Sequence, residues 1–589
     1  MAISREVKNT ESKRAGCFSL SRLFLPLALL FCLCVLPAHA QSGLKEAQAL
    51  NSIGLFAGSD KGFELERTPT RAEALVMLLK LTGQAQQAQT ENLPHPFTDG
   101  GWASAFIGYG YTHKYTSGVS DTEFGTAQPA TAQQYSVFLL RALGYTINED
   151  YTYEKALSFF LSHAPALTPA VEDFTRGDMA AMSLSALAAP MKDGSGTLAQ
   201  KLSGQDLFSM EDYKKAREGA VSEEKADVTV LMYVVGSDLE SNDGRTTANL
   251  HEMLEADLND SINLVLQTGG TADWKNDWMT DGATQRFQIT DDEIVHLSTL
   301  ENALMSTPDT LSNFLRWGVT AYPADRYIAV FIDHGEGTMN GFGIDEMNGR
   351  KTLSLGEMSR ALDWSDTCVE LTIFDACLMS TLTNAYILRD HSDYLLASEA
   401  IMPADGLFYT NWLNMLAQTP ALSVDELSQA VIEDYIEHSD KQLRKRITFS
   451  LITLENMEQV MTEWRDVLSQ LSGQMKKGSY ALLSETLEHT ASFDFIGIYD
   501  QFDLIDCLEQ LEQRGLAQTG ELRQITQKAV LQIGKLDIEI ANGLAVYIPY
   551  NDPEQYLNIT RASLLECGLS ETDLSFFDLF SANRIFDQT

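Results

Sequence analysis

Short apolar runs rich in β-branched and aromatic residues recur through the second half of this 589-residue chain, and each stops at glycine or a polar residue. Runs of this kind are typical of buried strands in a parallel sheet. We predict strands over 228–235, 262–267, 327–332, 371–374, 394–398 and 543–549, and helices over 250–258, 311–319, 355–362, 380–388, 455–471 and 521–533. This alternation indicates an α/β domain over 226–589, with a mostly parallel sheet flanked by helices.

Residues 41–205 follow a different pattern of three weak repeats, each about 50–60 residues long and each containing an apolar helix. Thr70 with Glu73, and Thr175 with Asp178, have the spacing of a capping box, which satisfies the first amides of a helix. We therefore predict a mainly α repeat module. Residues 206–225, rich in Lys, Glu and Ala, are the predicted charged linker to the α/β domain.

The first 40 residues have the pattern of a secretory signal peptide: a basic start, an apolar stretch over 23–36, and Ala38-His39-Ala40 as the cleavage site. No later run is long and apolar enough to predict a transmembrane segment. The formal charge of −40 argues against nucleic acid as a partner, because the protein would repel phosphate. The acidity favours solubility, with attraction of basic substrates or divalent cations as the alternative.

Four of the seven cysteines lie beyond the predicted signal peptide: Cys368, Cys377, Cys507 and Cys567. So few thiols do not form a disulfide framework, which leaves one free to act as a nucleophile. Only Cys377 directly follows a predicted strand. We interpret the other three as buried or incidental thiols.

Two predicted strands end in reactive side chains. The strand over 327–332 is followed by Asp333-His334-Gly335, and the strand over 371–374 is followed by Asp375-Ala376-Cys377. Since ligands bind at the carboxyl ends of parallel strands, we expect His334 and Cys377 to lie side by side. Either residue alone would be interpreted as structural, but together they favour a nucleophile with its general acid and base.

Two further expectations concern the same segments. The backbone N–H groups of Gly335 and Cys377 are the predicted oxyanion hole, because glycine lets the backbone approach a substrate closely. We also expect the strand end and the start of the following helix to lower the pKa of the Cys377 thiol.

These motifs, together with residues 233–240 and 543–549, resemble the clostripain family of cysteine peptidases, which has a caspase-like fold, over about residues 226–550. The resemblance implies that His334 and Cys377 are the catalytic dyad. It also implies that Asp375 lies in the pocket for the side chain before the scissile bond. A carboxylate two residues before the nucleophile can pair with a basic side chain, so we predict cleavage after Arg or Lys. An Asp375 that is merely solvated or caps a helix is the alternative.

The same resemblance bears on maturation and metals. Family members often mature by self-cleavage between the two catalytic strands, which implies Arg350 and Lys351 as the processing site; an ordinary surface turn is the alternative. The chemistry requires no cofactor. Calcium dependence also occurs in the family, but the acids Asp238, Glu240, Asp243 and Asp345 lack EF-hand spacing, so no metal ligand is assigned.

The three N-terminal repeats resemble S-layer homology domains. This resemblance implies attachment to the wall of a Gram-positive-type bacterium, with Thr70, Arg71, Thr175 and Arg176 binding a cell-wall polymer. The middle copy reads Thr131-Ala132-Gln133 and lacks the Arg. A helical bundle whose capping boxes merely start helices is the alternative.

Other hydrolase classes have no motif here. His-Glu-x-x-His, Cys-x-x-Cys, Gly-x-Ser-x-Gly and Walker-type sequences are all missing from the chain. The sequence therefore predicts a secreted, wall-attached cysteine endopeptidase that acts on proteins or peptides. The rival hypotheses are a non-catalytic surface protein whose peptidase-like domain only binds, and a caspase-like peptidase with another specificity.

Overall fold

The structure is a computed structural model that describes residues 43–58, 62–164, 174–220, 225–291, 293–300, 303–441, 446–493 and 498–588. The predicted signal peptide over 1–40 lies outside these residues. Residues 43–589 belong to one compact unit, in which a helical N-terminal module packs against an α/β domain.

In its described residues the N-terminal module has nine α-helices around its own apolar core. They are α1 (Leu44–Ser52), α2 (Arg71–Leu81), α3 (Ala85–Glu91), α4 (Ser104–Thr112), α5 (Ala132–Ala142), α6 (Ala156–His163), α7 (Arg176–Ala188), α8 (Leu198–Ser203) and α9 (Met210–Ala220). Both predicted capping boxes are confirmed, at the starts of α2 and α7. Thr131 caps α5 in the same way through the Gln134 N–H.

The first residues of the three capped helices each hold a loop from another repeat. Arg71 donates from Nε to the Phe124 carbonyl at 3.0 Å, and Arg176 donates from Nε to the Phe63 carbonyl at 2.9 Å. In the middle copy, the side-chain amide of Gln133 donates to the Tyr153 carbonyl instead. The repeats therefore connect in a ring, first to second, second to third and third to first.

Thirteen strands lie in the part of the α/β domain that the structure describes. They are β1 (Ala226–Val235), β2 (Ile262–Gly269), β3 (Thr284–Ile289), β4 (Ile294–Leu300), β5 (Ala324–Ile332), β6 (Phe342–Asp345), β7 (Lys351–Leu353), β8 (Val369–Asp375), β9 (Ser392–Ala397), β10 (Ile447–Thr453), β11 (Gln501–Asp503), β12 (Val530–Leu536) and β13 (Ala545–Tyr547).

Nine strands form one sheet in the order β12-β10-β9-β8-β5-β1-β2-β3-β4. The five central strands from β9 to β2 are parallel, as their apolar runs predicted. The outer strands β3, β4, β10 and β12 pair antiparallel, so the sheet is mixed, and the predicted parallel arrangement holds for its centre but not for its edges. The outer strands escaped prediction because β4 and β12 are half-exposed and lack a continuous apolar run.

Helices cover both faces of this sheet. They are α10 (Ser237–Asp243), α11 (Arg245–Leu254), α12 (Pro308–Ala321), α13 (Gly337–Asn340), α14 (Leu355–Ser365), α15 (Leu382–Leu388), α16 (Thr410–Gln418), α17 (Val424–Lys441), α18 (Met457–Lys476), α19 (Tyr480–Glu488), α20 (Leu504–Gln513), α21 (Gly520–Ala529), α22 (Pro553–Gln555), α23 (Arg561–Glu566) and α24 (Ser575–Gln588). One core packs α12, α14, α15 and α18 against the sheet, and a second packs α11, α16 and α17 against its other face.

Two C-terminal elements differ from their predictions. The helix predicted over 521–533 ends at Ala529, and Val530–Leu536 forms the edge strand β12 paired with β10. The strand predicted over 543–549 contributes only β13, which pairs with β11 and forms a bridge from Ala545 to Thr381. That bridge packs the C-terminal region against the segment just after Cys377.

Much of the predicted linker is helical. Residues 210–220 form α9, whose Tyr213 and Ala216 are buried in the module core, while 221–224 lie outside the described residues. The module also contacts α12 directly, because the buried Arg316 donates to the Ala188 carbonyl and Arg217 donates to the Thr320 hydroxyl at 2.9 Å. In the described ranges, no helix has both the length and the apolar character needed to cross a membrane.

Candidate active site

The strands that carry His334 and Cys377 are neighbours in the sheet. The parallel register of β5 and β8 pairs Ile332 with Asp375, so each candidate lies two residues beyond the same paired position. Both side chains line one pocket of about 200 Å³ at the carboxyl edge of the sheet. The structure thus brings the two residues to one site, as their strand ends predicted.

The side chain of Cys377 is partly buried in the pocket wall. Its Sγ accepts a hydrogen bond from the Met402 N–H at 3.2 Å, and burial raises the pKa of the thiol to about 11. The expectation of a lowered pKa was wrong because α15 begins only at Leu382, where Thr381 caps it. The helix start therefore does not reach the sulfur, and the thiol needs a base to become a nucleophile.

His334 is paired with an acid that the sequence analysis did not assign to catalysis. Its Nε2 lies 3.1 Å from Oδ1 of Asp238, just beyond β1. Partial burial acts to raise the pKa of Asp238, but the charges of His334 and Arg350 hold it below its usual value. An ionised carboxylate only accepts, so Nε2 carries a proton in this contact, and whenever the ring is neutral Nδ1 is its acceptor. That geometry suits a base for the thiol.

Asp333 anchors the loop that carries His334. Its buried carboxyl accepts hydrogen bonds from the Ser237 hydroxyl and the Ile344 N–H. Burial raises the pKa of this carboxyl to about 7. The loop is therefore tied both to the end of β1 and to β6.

Asp375 lies in the wall of the same pocket as the thiol. Its carboxylate accepts from the Leu407 N–H, 3.1 Å from both oxygens, and from the Tyr409 hydroxyl at 2.7 Å. Burial raises the pKa of Asp375 to about 6. Gly406 packs directly on the carboxylate: its φ is +67°, and an added Cβ would lie 2.6 Å from Oδ2. Only glycine permits this approach without strain.

Two further pocket residues come from α11, which carried no recognisable motif. Arg245 in α11 lines the pocket and forms an ion pair with Asp405. Asn249, one turn later, donates to the carbonyls of Asp405 and Leu407 at 3.3 and 3.4 Å. These contacts hold the loop after β9 against α11, although the two segments are about 160 residues apart in the sequence. A local sequence pattern cannot predict contacts at that separation.

The predicted oxyanion donors lie close together. The Gly335 backbone approaches Cys377 so nearly that an added Cβ would be 2.1 Å from the Cys377 carbonyl oxygen. Within the described ranges, neither the Gly335 N–H nor the Cys377 N–H donates to another residue. Both amides remain available, and their role as oxyanion donors stays a prediction.

Arg350 and Lys351 lie on the hairpin of β6 and β7, which joins the two catalytic strands. Arg350 has a φ of +63° and lies 3.3 Å from both carboxylate oxygens of Asp238, with its side chain about half exposed. Lys351 pairs with Glu357 at 2.7 Å. The predicted processing site is therefore a neighbour of the dyad, and its cleavage stays a prediction.

The acids considered for calcium are scattered over separate hydrogen-bond networks. Glu240 is buried and accepts from Thr247 and from the Lys275 N–H, while Asp345 is buried and accepts from Ser306. In the part of the chain that the structure describes, no group of three or more His, Cys, Asp or Glu side chains could hold a metal ion. Calcium dependence stays a prediction.

The N-terminal module has a separate pocket of about 410 Å³. Its lining includes the cations Arg67, Lys80 and Arg176 and the well-exposed Trp102. Of the four predicted polymer-binding residues, Arg176 lines this pocket, whereas Thr70, Arg71 and Thr175 do not. The threonine hydroxyls cap helices, and Arg71 is occupied with Phe124 and Thr116 in another inter-repeat contact.

Comparisons with known proteins bear on the α/β domain. The model of the clostripain family matches residues 232–532, just over half of the chain. Clostripain from Hathewaya histolytica is 22% identical over 307 residues, which cover 42% of this chain and 58% of that protein. The chain thus matches little more than half the length of this relative.

Two further similarities are weaker. The middle cell wall protein of Brevibacillus brevis is 25% identical over 150 residues, covering 24% of this chain and 14% of that protein. A solved structure of a secreted C11 cysteine protease from Bacteroides thetaiotaomicron, in complex with an irreversible peptide inhibitor, is 18% identical with a TM-score of 0.44. It covers 58% of this chain and 99% of that chain.

Proposed function

This chain belongs to the clostripain family, and from that membership we propose that it is a cysteine endopeptidase that cleaves after Arg or Lys. The observation that carries the proposal is the single pocket lined by His334, Cys377 and Asp375. The pocket thus combines a nucleophile, a general base and a carboxylate that can pair with a basic side chain. All three line the space that one substrate residue would fill.

The chemistry follows from the positions of these groups. His334 accepts the thiol proton through Nδ1, and the thiolate attacks the scissile carbonyl carbon. The N–H groups of Gly335 and Cys377 stabilise the resulting oxyanion. The imidazolium then protonates the leaving amine as the C–N bond breaks and a thioester remains. A water molecule gives a proton to His334 and attacks the thioester, and the departing thiolate is reprotonated by the ring.

Asp375 supports the preference for basic residues. A pKa of about 6 leaves its carboxyl ionised at neutral pH, and a Lys or Arg side chain in the pocket would form a charge-assisted hydrogen bond with it. Arg245 is already paired with Asp405, so its charge is compensated within the pocket wall.

The decisive experiment measures kcat/KM on reporter peptides ending in Arg, Lys, Asp or Asn. The wild type and Cys368→Ala, which removes the exposed thiol outside the pocket, should both cleave after Arg or Lys. Cys377→Ala should lose activity by about 10⁴-fold or more. Preferred cleavage after Asp or Asn would contradict the specificity. A folded wild type whose Cys377 resists a chloromethyl ketone probe would favour the non-catalytic binding protein.

Self-processing at Arg350 or Lys351 is part of the proposal. A basic pair on a hairpin beside the dyad supports it, since Arg350 is about half exposed. Mass spectrometry of purified protein should find a cut after one of these residues in the wild type and an intact chain for Cys377→Ala. A wild type that stays one chain while it cleaves the reporter peptides would rule this part out.

The N-terminal module would attach the exported enzyme to the cell wall. Support comes from a pocket in which the exposed Trp102 lies beside three cations, Arg67, Lys80 and Arg176. These outnumber the two acids of the pocket, Glu64 and Glu73, both of which pair with Arg67, so the site suits an acidic saccharide polymer. The partial similarity to a cell wall protein agrees with this attachment.

Sedimentation with purified Gram-positive walls tests the attachment. Arg67→Gln and Trp102→Ala should each release most of the protein from the wall pellet. Lys201→Gln, which removes an exposed cation elsewhere in the module, should bind as the wild type does. Equal binding by all four proteins would eliminate this pocket as the wall-binding site.

A further inference from the structure

An acid outside the predicted dyad reaches the catalytic edge. Asp238 follows β1, which is the neighbour of β5 in the sheet, and the register pairs Val234 with Ile332. This register places Gly236 level with His334, and Asp238 lies two residues further on, in the first turn of α10, where its Oδ1 is 3.1 Å from Nε2 of His334. The contact is a direct consequence of the parallel strand order.

We propose that Asp238 is a positioning residue for His334, and that Arg350 restrains the site in the intact chain by binding the same carboxylate. This inference rests on the proposed peptidase function. It adds a third side chain to the predicted dyad and gives the hairpin between the catalytic strands a restraining role.

The positioning role follows from the geometry of the ring. A histidine ring that is about a third exposed has two broad orientations about its second side-chain torsion, which exchange the positions of its nitrogens. The carboxylate of Asp238 accepts only from a protonated nitrogen, so it selects the form with Nε2–H. Nδ1 is then left to accept the thiol proton. The same carboxylate stabilises the positive ring that forms when the thiolate does.

The restraining role follows from the charge of Arg350. Its guanidinium lies 3.3 Å from both oxygens of Asp238, and it pairs with Glu346 at 3.8 Å as well. The carboxylate is therefore shared between Arg350 and His334. A positive charge held next to the ring repels the positive charge that the ring must acquire during acylation.

The hairpin that carries Arg350 is suited to moving. Arg350 has a φ of +63°, which is unfavourable for any residue with a Cβ, and its side chain is half exposed. A cut after Arg350 or Lys351 would free this backbone and let the guanidinium leave Asp238. The carboxylate would then serve His334 alone.

A double-mutant cycle tests both roles, with every protein assayed as the fraction whose hairpin is shown by mass spectrometry to be uncut. The variants are Asp238→Asn, Arg350→Gln and the two combined, with Arg360→Gln as the control, because Arg360 is similarly exposed but pairs with Glu566. Each is assayed for kcat and KM on an Arg or Lys reporter. Iodoacetamide alkylation of Cys377 is measured against the exposed Cys368 in the same molecule.

Asp238→Asn should lower kcat by about tenfold or more with KM nearly unchanged, and should slow alkylation of Cys377 but not of Cys368. Arg350→Gln should raise kcat about threefold, an effect of the size expected for one partly screened charge, and this gain should vanish in the double variant. Arg360→Gln should match the wild type. Asp238→Glu provides a second, charge-retaining variant that should also lower kcat because its carboxylate is displaced.

The outcomes separate the two proposals. A wild type that neither cleaves the reporter nor reacts at Cys377 defeats the proposed function and this inference with it. An active wild type whose kcat is matched by both Asp238→Asn and Asp238→Glu overturns only the positioning role. A gain from Arg350→Gln that persists without Asp238, or no gain at all, overturns the restraint.

Discussion

Burial acts on the two pocket residues that must be charged to function. The pKa of Cys377 is raised to about 11 and that of Asp375 to about 6, in both cases chiefly because the side chain is removed from water. In the proposed mechanism the thiol therefore depends on His334 at every physiological pH. The carboxyl becomes neutral only in mildly acidic solution, so acid should weaken substrate binding before it affects the thiol.

We expect the affinity for Arg and Lys substrates to fall as the pH drops through about 6. Asp375 is ionised above that pH and neutral below it, and a neutral carboxyl cannot form the ion pair. KM for an Arg reporter should rise between pH 7 and pH 5. Asp375→Asn should reduce kcat/KM by about 10- to 100-fold at pH 7 and remove this rise.

Alkylation of Cys377 is the control for that prediction, because Asp375→Asn should leave the thiol reactive. An Asp375→Asn protein that still prefers Arg and Lys would show that another acid binds the basic side chain.

At the level of residues, the strand ends were sufficient to predict where His334, Cys377 and Asp375 lie. Their side chains follow buried strands whose parallel order brings them to one edge. Asp238 was recognised only as an unassigned acid, and Arg245 was not recognised at all. Their contacts depend on partners about 100 to 160 residues away, at distances that only folding defines.

The elements of the N-terminal module depend on their caps. Thr70 caps α2, and Glu73 returns a hydrogen bond to the Thr70 N–H at 2.7 Å. Glu73 is also bound by Arg67; although burial opposes it, that pairing lowers the pKa of Glu73 to about 2. The helix start, the adjacent loop and the pocket wall are therefore one hydrogen-bonded unit.

Thr70→Ala should cost about 1 kcal/mol of stability, because the Glu73 N–H loses its acceptor at the helix start. Thr70→Ser keeps the hydroxyl and should unfold at the wild-type denaturant concentration. The measurement is urea denaturation followed by circular dichroism, with Cys377→Ala as the background to prevent self-cleavage. Equal midpoints for the Ala and Ser variants would mean that the cap contributes nothing.

At the edge of the sheet, the local sequence pattern predicted the wrong secondary structure. Residues 521–533 have a helical period, yet Val530 to Leu536 leave the helix and pair with β10. The choice between helix and edge strand was made by a partner 80 residues away. Local propensity could not report that pairing.

At the scale of the whole molecule, the stability of the fold depends on pH through its buried acids and its large negative charge. Burial raises the pKa of Glu252 to about 7, and this carboxyl accepts from the Tyr409 N–H directly behind Asp375. Because the pKa of Glu252 is higher in the folded than in the unfolded protein, this group contributes to the free energy of unfolding at low pH, where its carboxyl is neutral. That contribution is lost as the pH rises through about 7. The formal charge of −40 acts in the same direction, since repulsion grows as acids ionise.

Glu252→Gln should therefore reduce the loss of thermal stability between pH 6 and pH 8. We expect the fall in Tm to shrink by an amount on the order of 1–2 °C relative to the same background. Glu293→Gln, which neutralises an exposed acid that does not act on Glu252, should leave the fall unchanged. Differential scanning calorimetry at the two pH values gives the comparison, and parallel behaviour of both variants would refute the role of Glu252.

The sequence by itself determined the α/β domain, the capped repeats, and the meeting of His334, Cys377 and Asp375 at one edge. These depend on local period, on helix caps and on the order of buried strands, all of which are written in neighbouring residues. Only the tertiary structure decided the antiparallel edges, the raised pKa of the thiol, and the pairing of Asp238 with both His334 and Arg350. Burial and long-range contact set these features, and neither exists until distant segments are packed together.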